Sequence, residues 1–149
     1  MHPILEKRAT AAVADSIGAL PGEAQFQVVF YNRRPEFLPT NPAEGLWQAS
    51  AQAKARAVES LRHWRAEGGT DHLRAIRAAL TFRPDVIYWL TDGADLSFAE
   101  IDSITRSNKC RAAINTVDVT PGDRADYQAL QRIALANRGM FRHLSLTGD

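Results

Sequence analysis

Short apolar runs of strand length alternate with longer amphipathic segments along this chain, and this order constrains its fold more than any other feature. The clearest runs are residues 25–32 (QFQVVFYN) and 85–91 (DVIYWLT), in which β-branched and aromatic residues follow one another closely. Nearly continuous apolar runs of this length are typical of strands covered on both faces, which favours a parallel sheet. The pattern therefore predicts an α/β fold.

The segments between these runs have the apolar spacing of helices. We predict helices over residues 3–20, 43–67 and 71–82, one after the N-cap Ser97, and one through Tyr127, Leu130 and Ile133. Two more strands are predicted over residues 112–119 and 140–146, and at most a short edge strand over residues 36–38. Strands that alternate with helices imply right-handed parallel crossovers, so we expect a doubly wound, Rossmann-like and mostly parallel sheet with helices on both faces.

Length and composition indicate one globular domain over residues 1–149. The chain is 45% hydrophobic and 23% charged, and its net charge of +1 gives no general attraction to nucleic acid. No apolar run approaches the roughly 20 residues that span a bilayer, and the N-terminal residues lack the pattern of a signal peptide. We therefore expect no nucleic-acid partner and no membrane segment in this chain, while a signal or anchor upstream stays open.

Three clusters of oxygen-bearing residues fall beside the predicted strands and helices. They are residues 68–71 (GGTD) before a helix, residues 91–95 (TDGAD) after a strand, and Asp118 near the end of the next strand. Ligands of open parallel sheets bind beyond the carboxyl ends of the strands, and we take all three clusters as candidate binding positions.

The order and spacing of these clusters resemble the von Willebrand factor A domain in its bacterial form. The matching segments read GGTDHLRAIRAAL and DVIYWLTDGAD, and the resemblance covers nearly the whole chain. It implies a protein-binding module without enzymatic activity, and it places Thr70 and Asp92 on the second and third motifs of a metal-ion-dependent adhesion site. The supporting loops would contribute Gly69, Asp71, Gly93 and Asp95.

The expected metal is Mg²⁺ or Mn²⁺, because both ions prefer hard oxygen ligands and keep several waters. By the resemblance, Thr70 would coordinate through its hydroxyl and Asp92 directly or through a water, and a carboxylate of a protein partner would fill the open position. The family's first motif, Asp-x-Ser-x-Ser, has no counterpart here. We therefore expect metal binding to be weak or absent.

The start of the chain departs from the family pattern. The family begins with a central strand that carries the first motif, whereas this sequence begins at Met1 and continues directly into the first helix. We expect that strand to be missing, either because the start was assigned to an internal Met or because the form is truncated. The loss would leave two central strand edges unpaired, which predicts self-association.

Simpler roles exist for the same residues. Thr70 could serve only as a helix N-cap, and Asp92 with Gly93 could form an ordinary turn. We expect Asp95 and Asp118 to be solvated loop carboxylates. Two other functions therefore stay open, a Mg²⁺-dependent hydrolase or phosphotransferase that uses Asp92 and Asp95, and a metal-independent scaffold.

The remaining reactive side chains show no catalytic or metal-binding pattern. Cys110 is a lone cysteine, which excludes an intramolecular disulfide and a cysteine-based zinc site. The four histidines lack the spacing of metal ligands, and we predict that all of them are surface residues: His2, His63, His72 and His143.

Overall fold

The computed structural model describes residues 3–31, 35–37, 45–63, 71–91, 96–119 and 128–144. The chain divides into two compact units, Met1–Asp71 and His72–Asp149. The elements in chain order are α1 (Pro3–Gly18), β1 (Gln25–Phe26), β2 (Val29–Tyr31), β3 (Pro35–Phe37), β4 (Trp47–Gln48), α2 (Ala51–His63), α3 (His72–Leu80), β5 (Val86–Thr91), α4 (Phe98–Ser107), β6 (Ala113–Asp118), α5 (Gln128–Ala136) and β7 (Phe141–His143).

The first unit packs α1 and α2 around a small apolar core. The buried residues of this core are Ile17, Phe26, Ala49, Ala53, Ala57 and Leu61. Small alanines on α2 allow the two helices to approach closely. Two short antiparallel pairs complete the described part of this unit, β1 with β4 and β2 with β3.

Two predictions for this unit were wrong. The strand predicted over residues 25–32 is divided into β1 and β2, because the side chain of Gln27 accepts a hydrogen bond from Val28 N at 2.8 Å and donates one to Gly45 O at 3.0 Å. The helix predicted from residue 43 begins at Ala51, where the Ser50 hydroxyl accepts from Ala53 N at 3.2 Å. Side-chain competition for backbone groups explains both differences.

The second unit is a three-stranded parallel sheet in the order β5-β6-β7 with helices packed on it. Its elements follow the predicted order, and each begins and ends within a few residues of the prediction. Ser97 caps α4 as predicted and forms a capping box with Glu100, since each side chain binds the other residue's backbone N–H. The predicted α/β class with a parallel sheet is confirmed.

One face of this sheet is buried under the helices. The Thr116 hydroxyl donates to Leu130 O of α5 at 2.8 Å. The rings of Trp89 and His72 of α3 pack edge to face, with their centroids 6.0 Å apart. On the opposite face, the residues Val86 and Tyr88 are 45% and 64% exposed. Among the helices of the described ranges, none has the length and apolar character needed to cross a membrane.

Candidate functional site

Most of the predicted metal-site residues lie outside the described residues, namely Gly69, Thr70, Asp92, Gly93 and Asp95. Asp71 is described, and it is exposed directly before the first residue of α3. An acidic residue at this position complements the positive end of the helix dipole. Thr91, the residue before Asp92, ends β5 and is 3% exposed.

The carboxyl ends of the three parallel strands bring together a row of polar residues. The strand register pairs Thr91 with Asp118, and Asp118 with His143. Two backbone hydrogen bonds hold these strand ends, Val119 N to Thr91 O at 3.1 Å and Leu144 N to Asp118 O at 2.8 Å. Thr91, Asp118 and His143 therefore lie at the edge where parallel sheets bind ligands.

Asp118 was predicted to be solvated, and the structure contradicts this. Only 1% of the residue is exposed, and its Oδ2 lies 3.1 Å from Nδ1 of His143. A buried carboxylate needs such a partner, because removing it from water without one costs several kcal/mol. The sheet register supplies the partner from β7, which is 25 residues away in the chain.

The contact with Asp118 bears on the tautomer of the His143 ring. A carboxylate at Nδ1 favours the imidazole tautomer that carries its proton there, which leaves Nε2 as an acceptor. Across the described part of the chain, no group of three or more His, Cys, Asp or Glu side chains is placed to hold a metal ion.

The histidines differ from the prediction that all are surface residues. His72 is 7% exposed under Trp89, so the prediction was wrong for this residue. His63 is exposed at the end of α2, as predicted, and His2 lies outside the described residues. His143 lies at the surface, but its ring is held by Asp118 and its side chain is 29% exposed.

We did not predict from the sequence that Thr91, Asp118 and His143 lie together. Thr91 and Asp118 lie near the ends of predicted strands, which is the signal that could have found them, whereas His143 lies in the middle of the strand predicted over residues 140–146. The sequence could not supply the register that places these three residues side by side. Changing the register by one residue would turn each side chain to the other face of the sheet.

Several solved structures are similar to this chain. The first, a von Willebrand factor type A protein from Catenulispora acidiphila, has 23% identity and a TM-score of 0.81 over 95% of this chain. This chain spans about a third of its length, 34%. The others are an aerotolerance-related membrane protein from Bacteroides fragilis, with 14% identity and a TM-score of 0.70, and the conserved hypothetical protein BatB from Bacteroides thetaiotaomicron, with 12% identity and a TM-score of 0.68.

The two Bacteroides structures align with 93% and 95% of this chain, and this chain covers 80% of each of them. No family model and no curated protein matches the sequence. At these identities the likeness is one of fold. It confirms the fold that the resemblance predicted from the two motif segments.

Proposed function

We propose that this chain, which has a von Willebrand factor A-like fold, is a protein-binding module and not an enzyme. The observation that carries the proposal is the position of Thr91, which ends β5 at the edge where parallel sheets bind ligands. Asp92 is the next residue in the sequence. The similar solved structures support the proposal through their fold.

The proposed binding site includes a divalent cation, Mg²⁺ or Mn²⁺, held by the Thr70 hydroxyl and the Asp92 carboxylate. Both groups are hard oxygen donors of the kind these ions prefer. Asp118 is buried against His143 and is therefore not counted as a third ligand. With two protein ligands the ion would keep several waters, so we expect weak binding and a coordination position open to a partner's carboxylate.

Titration of the full chain with MnCl₂ by calorimetry tests the metal site. We expect a dissociation constant of about 10⁻⁴ to 10⁻³ M, in the range of weak oxygen-ligand sites. Asp92→Asn and Thr70→Ala should each abolish the heat of binding. Asp85→Asn, which changes an exposed carboxylate at the opposite end of β5, should leave it unchanged. Binding that survives both site variants would contradict the proposed metal site.

The two other functions inferred from the sequence give different results. A metal-independent scaffold would capture the same protein partners with and without a chelator, and Asp92→Ala would not change the capture. A Mg²⁺-dependent hydrolase or phosphotransferase would turn over a generic phosphate ester, and Asp92→Asn or Asp95→Asn would abolish the turnover. The proposed module should capture a partner only without chelator and should show no turnover.

The proposal includes self-association through β5. This strand lies at one end of the sheet order and pairs only with β6 among the described strands. Asp85 O accepts a hydrogen bond from Ala113 N at the start of β6, and Thr91 O accepts one from Val119 N just after its end. The alternating geometry of parallel strands therefore directs the peptide groups of Val86, Tyr88 and Leu90 to the other edge. Such an edge can pair with a strand of a second copy.

Sedimentation of the chain over a range of concentrations tests this association. We expect a dimer that Tyr88→Lys weakens, because a lysine on an edge strand opposes pairing. The control is Leu135→Lys, which places the same charge on α5 at a residue that is 84% exposed. A monomer at every concentration, or an equal effect of the two variants, would contradict association through β5.

A further inference from the structure

Three arginines precede the three parallel strands, and each has a positive φ angle. The values are 51° at Arg83, 58° at Arg111 and 56° at Arg138. These residues lie on the loops that lead from α3, α4 and α5 into β5, β6 and β7. They therefore share the amino edge of the sheet, opposite the row of Thr91, Asp118 and His143.

A positive φ angle is unfavourable for arginine. Glycine, and to a lesser degree asparagine, usually occupies such positions after helices because a side chain at Cβ crowds the backbone. A cation does not need this conformation to complement the negative end of a helix dipole, since any residue of the last turn can do so. The helix ends alone therefore do not explain three arginines at these positions.

A buried asparagine pair joins the loops before β6 and β7. Asn108 Nδ2 donates to Asn137 Oδ1 at 3.0 Å and to Ala112 O at 2.8 Å, and Asn108 Oδ1 accepts from Ala112 N at 2.9 Å. The Cys110 thiol lies 3.8 Å from Pro84 O, which brings the loop before β5 next to the loop before β6. Buried hydrogen bonds thus hold the loops of Arg111 and Arg138, and a part-buried thiol contact joins the loop of Arg83 to them.

These loops carry a concentrated positive charge. Arg83, Lys109, Arg111 and Arg138 are all exposed, and Asp85 is the one acidic residue within residues 81–85, 108–112 and 137–140. Within the described part of the chain, these four cations form no ion pair. The guanidinium of Arg138 donates to the carbonyl of Arg111, which holds two of the cationic residues together.

We propose that this cationic edge, formed by Arg83, Lys109, Arg111 and Arg138, binds an acidic segment of a partner protein. Guanidinium groups pair with carboxylates through two parallel hydrogen bonds, and three of the four cations are arginines. A protein that binds duplex nucleic acid can contact about six to ten phosphates, which is more than these four cations can neutralise. The surface uses no residue of the proposed metal site, so it stands independently of that site.

Fluorescence anisotropy with the full chain tests the proposal. The probe is a fluorescein-labelled decapeptide of alternating Glu and Ser, and EDTA is present so that metal binding cannot contribute. We expect binding that weakens as salt is raised from 50 to 300 mM, because exposed charges are screened. A peptide with Gln in place of Glu should not bind.

The informative variant is Arg83→Gly/Arg111→Gly/Arg138→Gly. Glycine accepts a positive φ angle, so this variant should fold with an unchanged or higher melting temperature while its affinity for the acidic peptide falls at least about tenfold. The matched control is Lys7→Gln/Arg56→Gln/Arg142→Gln, which removes the same charge from exposed residues elsewhere. The control should bind the peptide with an affinity within about twofold of the unchanged chain.

Three results would overturn the proposal. One is the absence of salt-dependent binding to the Glu peptide, and another is an equal loss of affinity in the two triple variants. The third is tighter binding to a duplex oligonucleotide or to phosphatidylserine vesicles than to the peptide, which would assign the edge to a different class of partner. If the chain binds the peptide in EDTA but does not bind Mn²⁺, the result would contradict the proposed metal site and support the proposed cationic edge.

Discussion

Gly139 lies in the short connection between α5 and β7, against the backbone of β6. A Cβ atom at this position would overlap the carbonyl group of Ile114, whose strand cannot move without breaking its hydrogen bonds to both neighbours. We expect Gly139→Ala to lower the free energy of unfolding by about 3 kcal/mol, at the upper end of overpacking effects. Urea denaturation followed by circular dichroism measures this change.

Gly18 provides the matched control for Gly139. It is the last residue of α1, and a Cβ atom there would meet nothing within 4 Å. Gly18→Ala should therefore raise stability by about 0.5 kcal/mol through helix propensity. A loss at Gly139 no larger than about 0.5 kcal/mol would contradict the close approach to β6.

Asp118 shows what the sequence could and could not predict for a single residue. Its position near the end of a strand was correct, since strand length and the following proline and glycine are local signals. The prediction that its side chain is solvated was wrong, because the partner His143 comes from another strand. A side chain's solvation depends on neighbours that the fold supplies, and these neighbours are not local in sequence.

Elements of the second unit were predictable because local signals agree with the tertiary structure. Pro84 follows α3, Ser97 caps α4, and the apolar runs of β5 and β6 are bounded on both sides. In the first unit, the side chain of Gln27 interrupts a run that looks continuous in sequence. A single polar side chain that binds a neighbouring backbone group can divide a strand without changing the apolar pattern.

The junction of α4 and β6 depends on Asn108. The residue is 9% exposed, and its side chain binds both backbone groups of Ala112 and the amide oxygen of Asn137. Asn108→Ala would leave buried polar groups without partners, so we expect the free energy of unfolding to fall by about 2 to 3 kcal/mol. Equilibrium denaturation in urea measures it.

A surface substitution gives the comparison for Asn108. Gln131→Ala changes an exposed residue of α5 and should alter stability by no more than about 0.5 kcal/mol. If Asn108→Ala changed the free energy of unfolding as little as Gln131→Ala, the asparagine pair would not hold the two loops together. The cationic edge would then lack its rigid support.

At the scale of the whole molecule, stability should be greatest in β6. This strand lies between β5 and β7, and Ile114, Thr116 and Val119 along it or at its end are completely buried. Among the described residues, the pair β2 and β3 forms a sheet of two strands, a kind of structure that is marginal in water when nothing else supports it. We expect amide hydrogen exchange to be slowest in β6 and faster in β2 by at least about a hundredfold.

Hydrogen exchange monitored by NMR measures these rates residue by residue. Ile114 and Thr116 donate their amide hydrogens to Asn137 O and Met140 O, so they report on the contact between β6 and the segment that leads into β7. Exchange in β2 as slow as in β6 would contradict the expected difference between the two sheets.

The sequence by itself determined the α/β class, the order of helices and strands in the second unit, and the two motif segments that resemble the von Willebrand factor A domain. These features are encoded by apolar periodicity, caps and prolines within about ten residues. Only the tertiary structure decided the pairing of Asp118 with His143, the burial of His72 and the gathering of three positive-φ arginines at one edge. Each of these depends on strand register and loop packing, which join residues distant in the chain.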